Sequence, residues 1–440
     1  MSATEELLAF VQGLDPSSMP GDVVAQAKRC VLDLLGVAIA GSRTEMARAS
    51  TPLAYGQFGP GRATLIGSMA RLVEVGATWG NGISASALDM DDGHRLAMGH
   101  PGAAVIPTAL AVAETQGTSG GDFLAAVVAG YEVAVRVSVS RVPAFKHDHY
   151  STGIWGAPGS AAAAGKLLGF DRGAYQSALG IAIAHSPFPP SGAFTFGGMV
   201  KEVIGWAGVV GCTSALLAQE GFAGPSDALD QSGRYDPAQL VADLGQRYAI
   251  CQVYFKPYAS CRWSHPAIDG VLHLTREHDL KPAEIERIHV EGFREITRLR
   301  NPIPATPIEA QYSLPFSIAL ALIYRGIGPA ELQEDKLHDR ALLEMAQKVK
   351  LSVDPEFVQA FPAKTALRVT IHTARGVFAT TAEYPRGNPE NPLSDAELSD
   401  KFLGLTAEIL GEKRSGKLEK AVGHLDQLDN VRHLTEFLAF

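Results

Sequence analysis

Apolar positions recur at helical spacing through about the first 250 residues, and several of the predicted helices are apolar around most of their circumference. The pattern predicts a helix over Val23–Ile39, capped by Asp22 and followed by Gly41 at the position past its end. Pro101 predicts the first turn of a helix running to about Gln116. Asp122 predicts the cap of a helix over Phe123–Val139, and Asp171 the cap of a later one. Between these lie the small residues of Gly159–Leu168, closed by Gly169, which predict helices in close contact. Met199–Phe222 is a longer apolar stretch, but Lys201, Glu202 and Glu220 interrupt it, as befits a bundle helix and not a membrane span.

The period changes near residue 260. Ser264 predicts the cap of a helix over Pro266–His278. Ile285–Phe293, Val349–Val353 and Leu367–Thr373 then alternate apolar and polar residues, and Ala374-Arg375-Gly376 predicts a tight turn into a further strand over Val377–Tyr384. Helices are predicted over Ile308–Tyr324 and Arg340–Lys348, a loop over Pro385–Pro392, and a helix capped by Ser394 over Asp395–Leu410. The fold class expected is mainly α: a large all-helical domain (1–262), a smaller inserted α+β domain (263–393), and C-terminal helices (394–440) that return to the helical domain.

Composition narrows the function. A chain of 440 residues is long for one core, and 46% hydrophobic with 19% charged residues describes an ordered globular protein. The net charge of −9 and the absence of a dense Lys/Arg stripe argue against a nucleic-acid partner, because phosphate neutralisation needs clustered cations. The four cysteines form no CxxC pair, so neither a zinc site nor a disulfide framework is expected. With an acidic N-terminus unlike a signal peptide, this predicts a cytoplasmic protein without a membrane partner.

Four polar clusters stand out. Asp89-Met90-Asp91-Asp92-Gly93-His94 is followed by Gly99-His100-Pro101-Gly102. Three carboxylates so close together need cations, donors or solvent. They fit a divalent metal site, a set of helix caps, or a catalytic loop with His100 at a helix N-terminus as a base. The second cluster runs from Lys256 through Tyr258, Ser260, Cys261, Arg262 and Ser264 to His265, at the proposed domain junction, where ligand clefts are common. Its cations fit an anion site, and Cys261 has no sequence signature of a nucleophile paired with a histidine. The third is a glycine-rich loop, Ser191–Gly198, that leads to Lys201 without the pattern of a phosphate-binding loop. The fourth is the histidine-rich stretch Lys146–Gly153, which holds His149 and Tyr150.

In their order, these motifs resemble the 2-methylcitrate dehydratase family, the MmgE/PrpD superfamily, which includes cis-aconitate decarboxylases and iminodisuccinate epimerases. The resemblance covers nearly the whole chain, and rests on ALDMDDGHRLAMGHPGAAVIPTALAVAE, GAPGSAAAAGKLLG, LLAQEGFAGP and KPYASCRWSHPAID. It implies a homodimer with an active site between the two domains, no organic cofactor and no metal. It places the family's pocket Asp on Asp89, its pocket His on His100 and its two lysines on Lys201 and Lys256, with Asp92 in the same acidic motif. Relative to the decarboxylases, Tyr150, Ile204 and Cys261 stand where histidines are common, and Phe316 where a tyrosine is frequent, with Tyr312 one helical turn earlier.

The resemblance and the residues together imply proton removal next to a carboxylate of a small polycarboxylate. Asp89, His100, Tyr150, His149 and Lys201 are the expected catalytic set. Asp92, Lys256, Ser260, Cys261, Arg262 and Tyr312 are expected to bind substrate. Dehydration of a citrate-like hydroxy acid is the leading reaction. Epimerisation of a substituted succinate such as iminodisuccinate shares its first half, and decarboxylation of the cis-aconitate type is a further alternative.

Overall fold

The computed structural model describes residues 1–148, 151–188, 198–231 and 233–440. Its helices are α1 (Ala3–Gly13), α2 (Gly21–Gly41), α3 (Glu45–Leu53), α4 (Glu74–Ser86), α5 (Pro101–Gln116), α6 (Gly120–Ser140), α7 (Pro143–Asp148), α8 (Thr152–Leu167), α9 (Arg172–His185), α10 (Ile204–Gln219) and α11 (Pro237–Val241) in the first part of the chain. They are followed by α12 (His265–Glu277), α13 (Pro307–Gln311), α14 (Leu314–Tyr324), α15 (Arg340–Gln347), α16 (Pro355–Ala360), α17 (Asp395–Leu410), α18 (Glu412–Gly423) and α19 (Arg432–Thr435). The fold is mainly α. Short strands β1 (Pro60–Thr64) and β2 (Arg71–Leu72) pair with each other, as do β3 (Gly93–His94) and β4 (Val253–Tyr254).

The remaining strands, β5 (Ile285–Gly292), β6 (Val349–Val353), β7 (Leu367–Thr373) and β8 (Gly376–Ala382), form one sheet in the order β6-β5-β7-β8. β5 and β6 run parallel, and the other pairs are antiparallel, with Val290 opposite Val369 and Ile371 opposite Phe378. Alternate residues of β7 are buried, as its period demands, and α12 packs on this sheet.

One apolar core gathers residues of α2, α5, α6 and α8 together with Leu398 and Phe402 of α17. A second gathers the sheet, α12 and α14. In α8, Ala161, Ala162, Ala163 and Ala164 are all fully buried, the close contact that the small residues predict. Among the described residues only α6 is long and apolar enough to cross a membrane, and 94% of its most apolar window is buried inside the chain.

Several local expectations are corrected. Pro20, not Asp22, occupies the cap of α2, and Asp22 lies in its first turn, where a carboxylate favours the helix dipole. Gly41 is the last residue of α2 and not a left-handed cap; a Cβ there would collide with the Ser84 carbonyl of α4. Ser119 caps α6, accepting from the Asp122 N–H while its own hydroxyl donates to the Asp122 carboxylate at 2.6 Å. α8 starts at Thr152, well before Gly159. Ser264 occupies the cap position of α12 without a side-chain hydrogen bond. The helix expected over Ile308–Tyr324 is broken at Tyr312-Ser313, because Ser313 caps α14 by accepting from the Phe316 N–H, and Pro315 sits in its first turn.

Candidate active site

The acidic cluster lies on the connection from α4 to α5. Asp89 has φ 52°, a left-handed conformation that costs a non-glycine residue free energy and recurs at functional sites. The short β3–β4 pairing sets Gly93 beside Tyr254 and His94 beside Val253. This two-residue ladder brings the acidic loop alongside the segment that starts at Lys256. From the far side, Lys401 of α17 holds the loop, donating to the Met90 carbonyl at 2.8 Å and to Asp33 of α2 at 2.6 Å.

Within the cluster the three carboxylates have different partners. Asp89 accepts from Lys256 Nζ at 3.0 Å, and Asp91 lies 3.9 Å from the same nitrogen. Burial alone would raise the Asp89 carboxyl, but Lys256 and Lys201 outweigh it and hold the group well below the usual carboxylate range. Asp92 is turned toward the helices: one oxygen accepts the Gly102 N–H at 2.9 Å and the other the Tyr131 hydroxyl at 2.6 Å. It therefore satisfies the start of α5 from outside and does not face Lys256. Burial, with the charges of Asp33 and Asp91, pushes Asp92 up to about 7.

His100 occupies the cap position of α5 without capping it through its ring. Its Nδ1 lies 2.8 Å from the Asp92 carbonyl and 3.4 Å from an Asp91 oxygen. A carbonyl only accepts, so Nδ1 carries a hydrogen, and Nε2 is the nitrogen that can take a proton. That nitrogen faces Glu202 Oε1 at 3.8 Å. The His100 backbone N–H donates to Thr152 Oγ1 at 3.1 Å.

Lys201 projects from the turn before α10, again with a left-handed φ of 49°. Its ammonium donates to Gln311 Oε1 and lies 5.1 Å above the Tyr312 ring, while Gln311 Nε2 donates to the Ala87 carbonyl at 3.0 Å. Burial pushes Lys201 down from the ordinary lysine value. For Lys256 burial acts the same way, but Asp89 and Asp91 outweigh it and raise the group.

The second cluster divides. Lys256 joins the carboxylates, and Tyr312 lies over Lys201. Ser260 is fully buried with no hydroxyl partner among the described residues. Cys261 is half-buried, and desolvation with the nearby Asp89 charge pushes its thiol up to about 12. Arg262, expected to meet substrate, is committed to the fold instead. It donates to the carbonyls of Arg386 at 3.0 Å and Pro385 at 3.2 Å and to Asn388, and stacks 4.5 Å from the Tyr254 ring. Its fork is thus occupied in pinning the 385–388 loop.

His149, Tyr150 and residues 189–197, which take in the glycine-rich loop up to Gly198, lie outside the described residues. Phe316 is fully buried in the second core, and Ile204 is buried at the first position of α10. Among the described residues no group of three or more His, Cys, Asp or Glu side chains is arranged to hold a metal ion.

Four site residues escape the sequence reasoning as individual candidates: Asp91, Thr152, Glu202 and Gln311. Glu202 accepts from the Thr152 N–H at 3.0 Å and from its hydroxyl, at the start of α8. The signals were adjacency alone: Asp91 sits inside the acidic motif, Glu202 follows Lys201 and Gln311 precedes Tyr312. Together the groups make a buried polar site with a base-competent imidazole, two lysines, and carboxylates already countered by cations or donors. Such a site can take a proton from a carbon acid and stabilise the negative charge that develops.

Comparison with known proteins gives the same direction. A model of the MmgE/PrpD N-terminal domain matches residues 5–238, and one of the MmgE/PrpD C-terminal domain matches residues 258–427. The chain is similar to the cis-aconitate decarboxylase of Aspergillus terreus, 27% identical over 473 residues, with 99% of this chain and 95% of the relative covered. It is also similar to the cis-aconitate decarboxylases of Homo sapiens, 27% identical with 99% and 94% covered, and of Mus musculus, 27% identical with 99% and 93% covered.

Proposed function

The chain belongs to the MmgE/PrpD family, and on that premise we propose that it is a lyase of the 2-methylcitrate dehydratase type, which removes a proton α to a carboxylate of a small polycarboxylic hydroxy acid and eliminates water. The observation that carries this reading is the state of His100. Its Nδ1 is tied to the Asp92 carbonyl at 2.8 Å, which leaves Nε2 as the basic nitrogen. A base held in one tautomer and orientation is worth roughly 100- to 10,000-fold in rate.

In the proposed reaction Nε2 takes the α-proton, and the electron pair of the broken C–H bond flows into the adjacent carboxylate. Lys201 stabilises the resulting dianionic character, and Lys256 holds the substrate carboxylate. Collapse of that charge forms the C=C bond as the β C–O bond breaks, and the hydroxyl leaves as water after receiving a proton. His149 or Tyr150, just before the α8 cap Ser151, is the proposed donor. No organic cofactor and no metal enters the proposal, and a homodimer is the proposed assembly. Light scattering at micromolar concentration should then report about twice the 46.6 kDa chain mass.

Decarboxylation is the second reading, favoured by full-length similarity to proteins named cis-aconitate decarboxylases. It would break a C–C bond to a carboxylate at the same site and return a proton to the carbon. Cys261 weighs against it. The resemblance places a histidine at this position in the decarboxylases, and a thiol pushed up to about 12 stays protonated near neutral pH.

A substrate panel in D₂O, followed by proton NMR, separates the readings. It should include citrate, 2-methylcitrate, tartrates, cis-aconitate and iminodisuccinate stereoisomers. A new vinyl signal from a hydroxy acid supports dehydration. Carbon dioxide release from cis-aconitate identifies a decarboxylase. Deuterium wash-in with inversion, and no alkene from any hydroxy acid, identifies an epimerase and overturns the lyase reading.

A further inference from the structure

One carboxylate reaches His100 from two sides. Its backbone N–H donates to Thr152 Oγ1 at 3.1 Å, and that hydroxyl in turn donates to Glu202 Oε2. The other Glu202 oxygen faces His100 Nε2 at 3.8 Å. Backbone, threonine, glutamate and imidazole thus close a ring around one residue. The approach depends on Gly99: a Cβ there would overlap Thr152 Oγ1 and the Trp155 ring and press on Glu202 Oε2.

Glu202 is itself firmly placed. Its neighbours Lys201 and Val203 both have left-handed φ values, 49° and 58°. Its carbonyl accepts from the Gly153 N–H at 3.0 Å and from the Ser151 hydroxyl at 2.7 Å. A β-branched residue such as Val203 rarely adopts this conformation, and such strain persists only where surrounding contacts enforce it. Here they turn Lys201 toward Gln311 and the adjacent Glu202 toward Thr152 and His100.

We propose that Glu202 is the positioning residue of the catalytic base: through Thr152 it fixes the His100 backbone, and its other oxygen faces Nε2 and holds the proton that this nitrogen acquires. The role rests on the reading of His100 as the base. With Nδ1 bound to a carbonyl, Nε2 and Glu202 Oε1 face each other as two acceptors, an arrangement relieved when Nε2 becomes protonated. The carboxylate is therefore placed to stabilise the imidazolium that forms when Nε2 takes a proton.

The other described titratable groups near the ring are Asp91, 3.4 Å from Nδ1, Asp89, which is paired with Lys256, and Asp92, whose carbonyl accepts from Nδ1 and whose carboxyl turns away to Tyr131. Lys201 shares the same field through Asp89. All of these remain in a Glu202 variant, so the change on substitution reports Glu202 alone.

The test compares the native enzyme with Glu202→Gln, Glu202→Asp and Thr152→Val. Glu202→Gln keeps an acceptor for the Thr152 N–H and removes the charge. The acidic limb of kcat/KM, where the base must lose its proton, should move to lower pH by about one unit, the scale for losing an opposite charge at this range. Glu202→Asp should return the limb part of the way. Thr152→Val should move it in the same direction by less, and serves if the Gln variant fails to fold. A fall in rate with an unmoved limb would show a purely structural residue and overturn the proposal. The His100 Cε1–H resonance, assigned by its loss in His100→Gln, gives a readout independent of turnover. Its titration midpoint in the substrate-free protein should fall by the same amount in Glu202→Gln, and an unchanged midpoint refutes the coupling. If no substrate in the panel is turned over yet this midpoint moves, the reaction assignment fails and the Glu202–His100 coupling stands.

Discussion

Lys256 Nζ lies 3.0 Å from Asp89 Oδ1, with the lysine side chain 0% and the aspartate side chain 6% exposed. Burying either charge alone is costly, so each is the condition for the other. Removing one partner of such a pair typically costs about 3–5 kcal/mol, because the other is left buried and uncompensated. Lys256→Ala should therefore lower the urea midpoint clearly, and in the protein that remains folded it should raise KM more than it lowers kcat. The double variant Asp89→Asn/Lys256→Met should recover much of the stability and none of the activity. A Lys256→Ala protein with native stability and native KM would contradict the role of the pair.

Asp92 yields a pH prediction of the opposite sign to Asp89. Buried among other carboxylates, it is pushed up to about 7, whereas the unfolded chain releases this proton near the ordinary value of 3.8. Between those values the native state holds a proton that the unfolded state gives up, so this group's contribution to stability falls as pH rises through the window. Asp89, held down by Lys256 and Lys201, contributes stability that is present above the ordinary carboxylate value and lost as pH falls below it. In Asp92→Asn the first slope should disappear. The variant should gain on the native protein as pH rises from about 4 to about 7 in urea unfolding, and parallel profiles would show that the carboxyl titrates normally.

The legible and illegible parts of the site differ in their physical origin. Three aspartates within four residues cannot be buried without partners, so the loop announced itself in the sequence. The β3–β4 ladder did not, because two-residue strands carry no period. Glu202 and Gln311 are ordinary polar residues whose importance comes from a turn that points them inward. Arg262 looked free because sequence does not show the carbonyls of Pro385 and Arg386 that occupy it. The cap of α6 fell on Ser119 and not Asp122, since both residues suit the role and only the local bonds decide. The break between α13 and α14 was present in Ser313-Leu314-Pro315, where a cap and a first-turn proline outweigh a continuous apolar pattern.

We propose metal independence on the basis of the same pairing. Asp89 and Asp91, the carboxylates best placed to attract a divalent ion, already share the Lys256 ammonium. Activity should survive dialysis against a strong chelator. Loss that Mg²⁺ or Mn²⁺ restores would assign the acidic loop to an ion and not to the lysine.

The role of His100 as base is tested most directly by turnover of the native enzyme and His100→Gln, both shown to be folded by their thermal melts. The measurement is the rate of α-proton loss in D₂O, read by proton NMR on whichever substrate the native enzyme converts. Native protein should release the proton and form product, and the variant should be slower in kcat by about 100-fold or more, the usual scale for a lost general base. A variant with unchanged kcat would mean that His100 only occupies the start of α5, and that the proton is taken by another group.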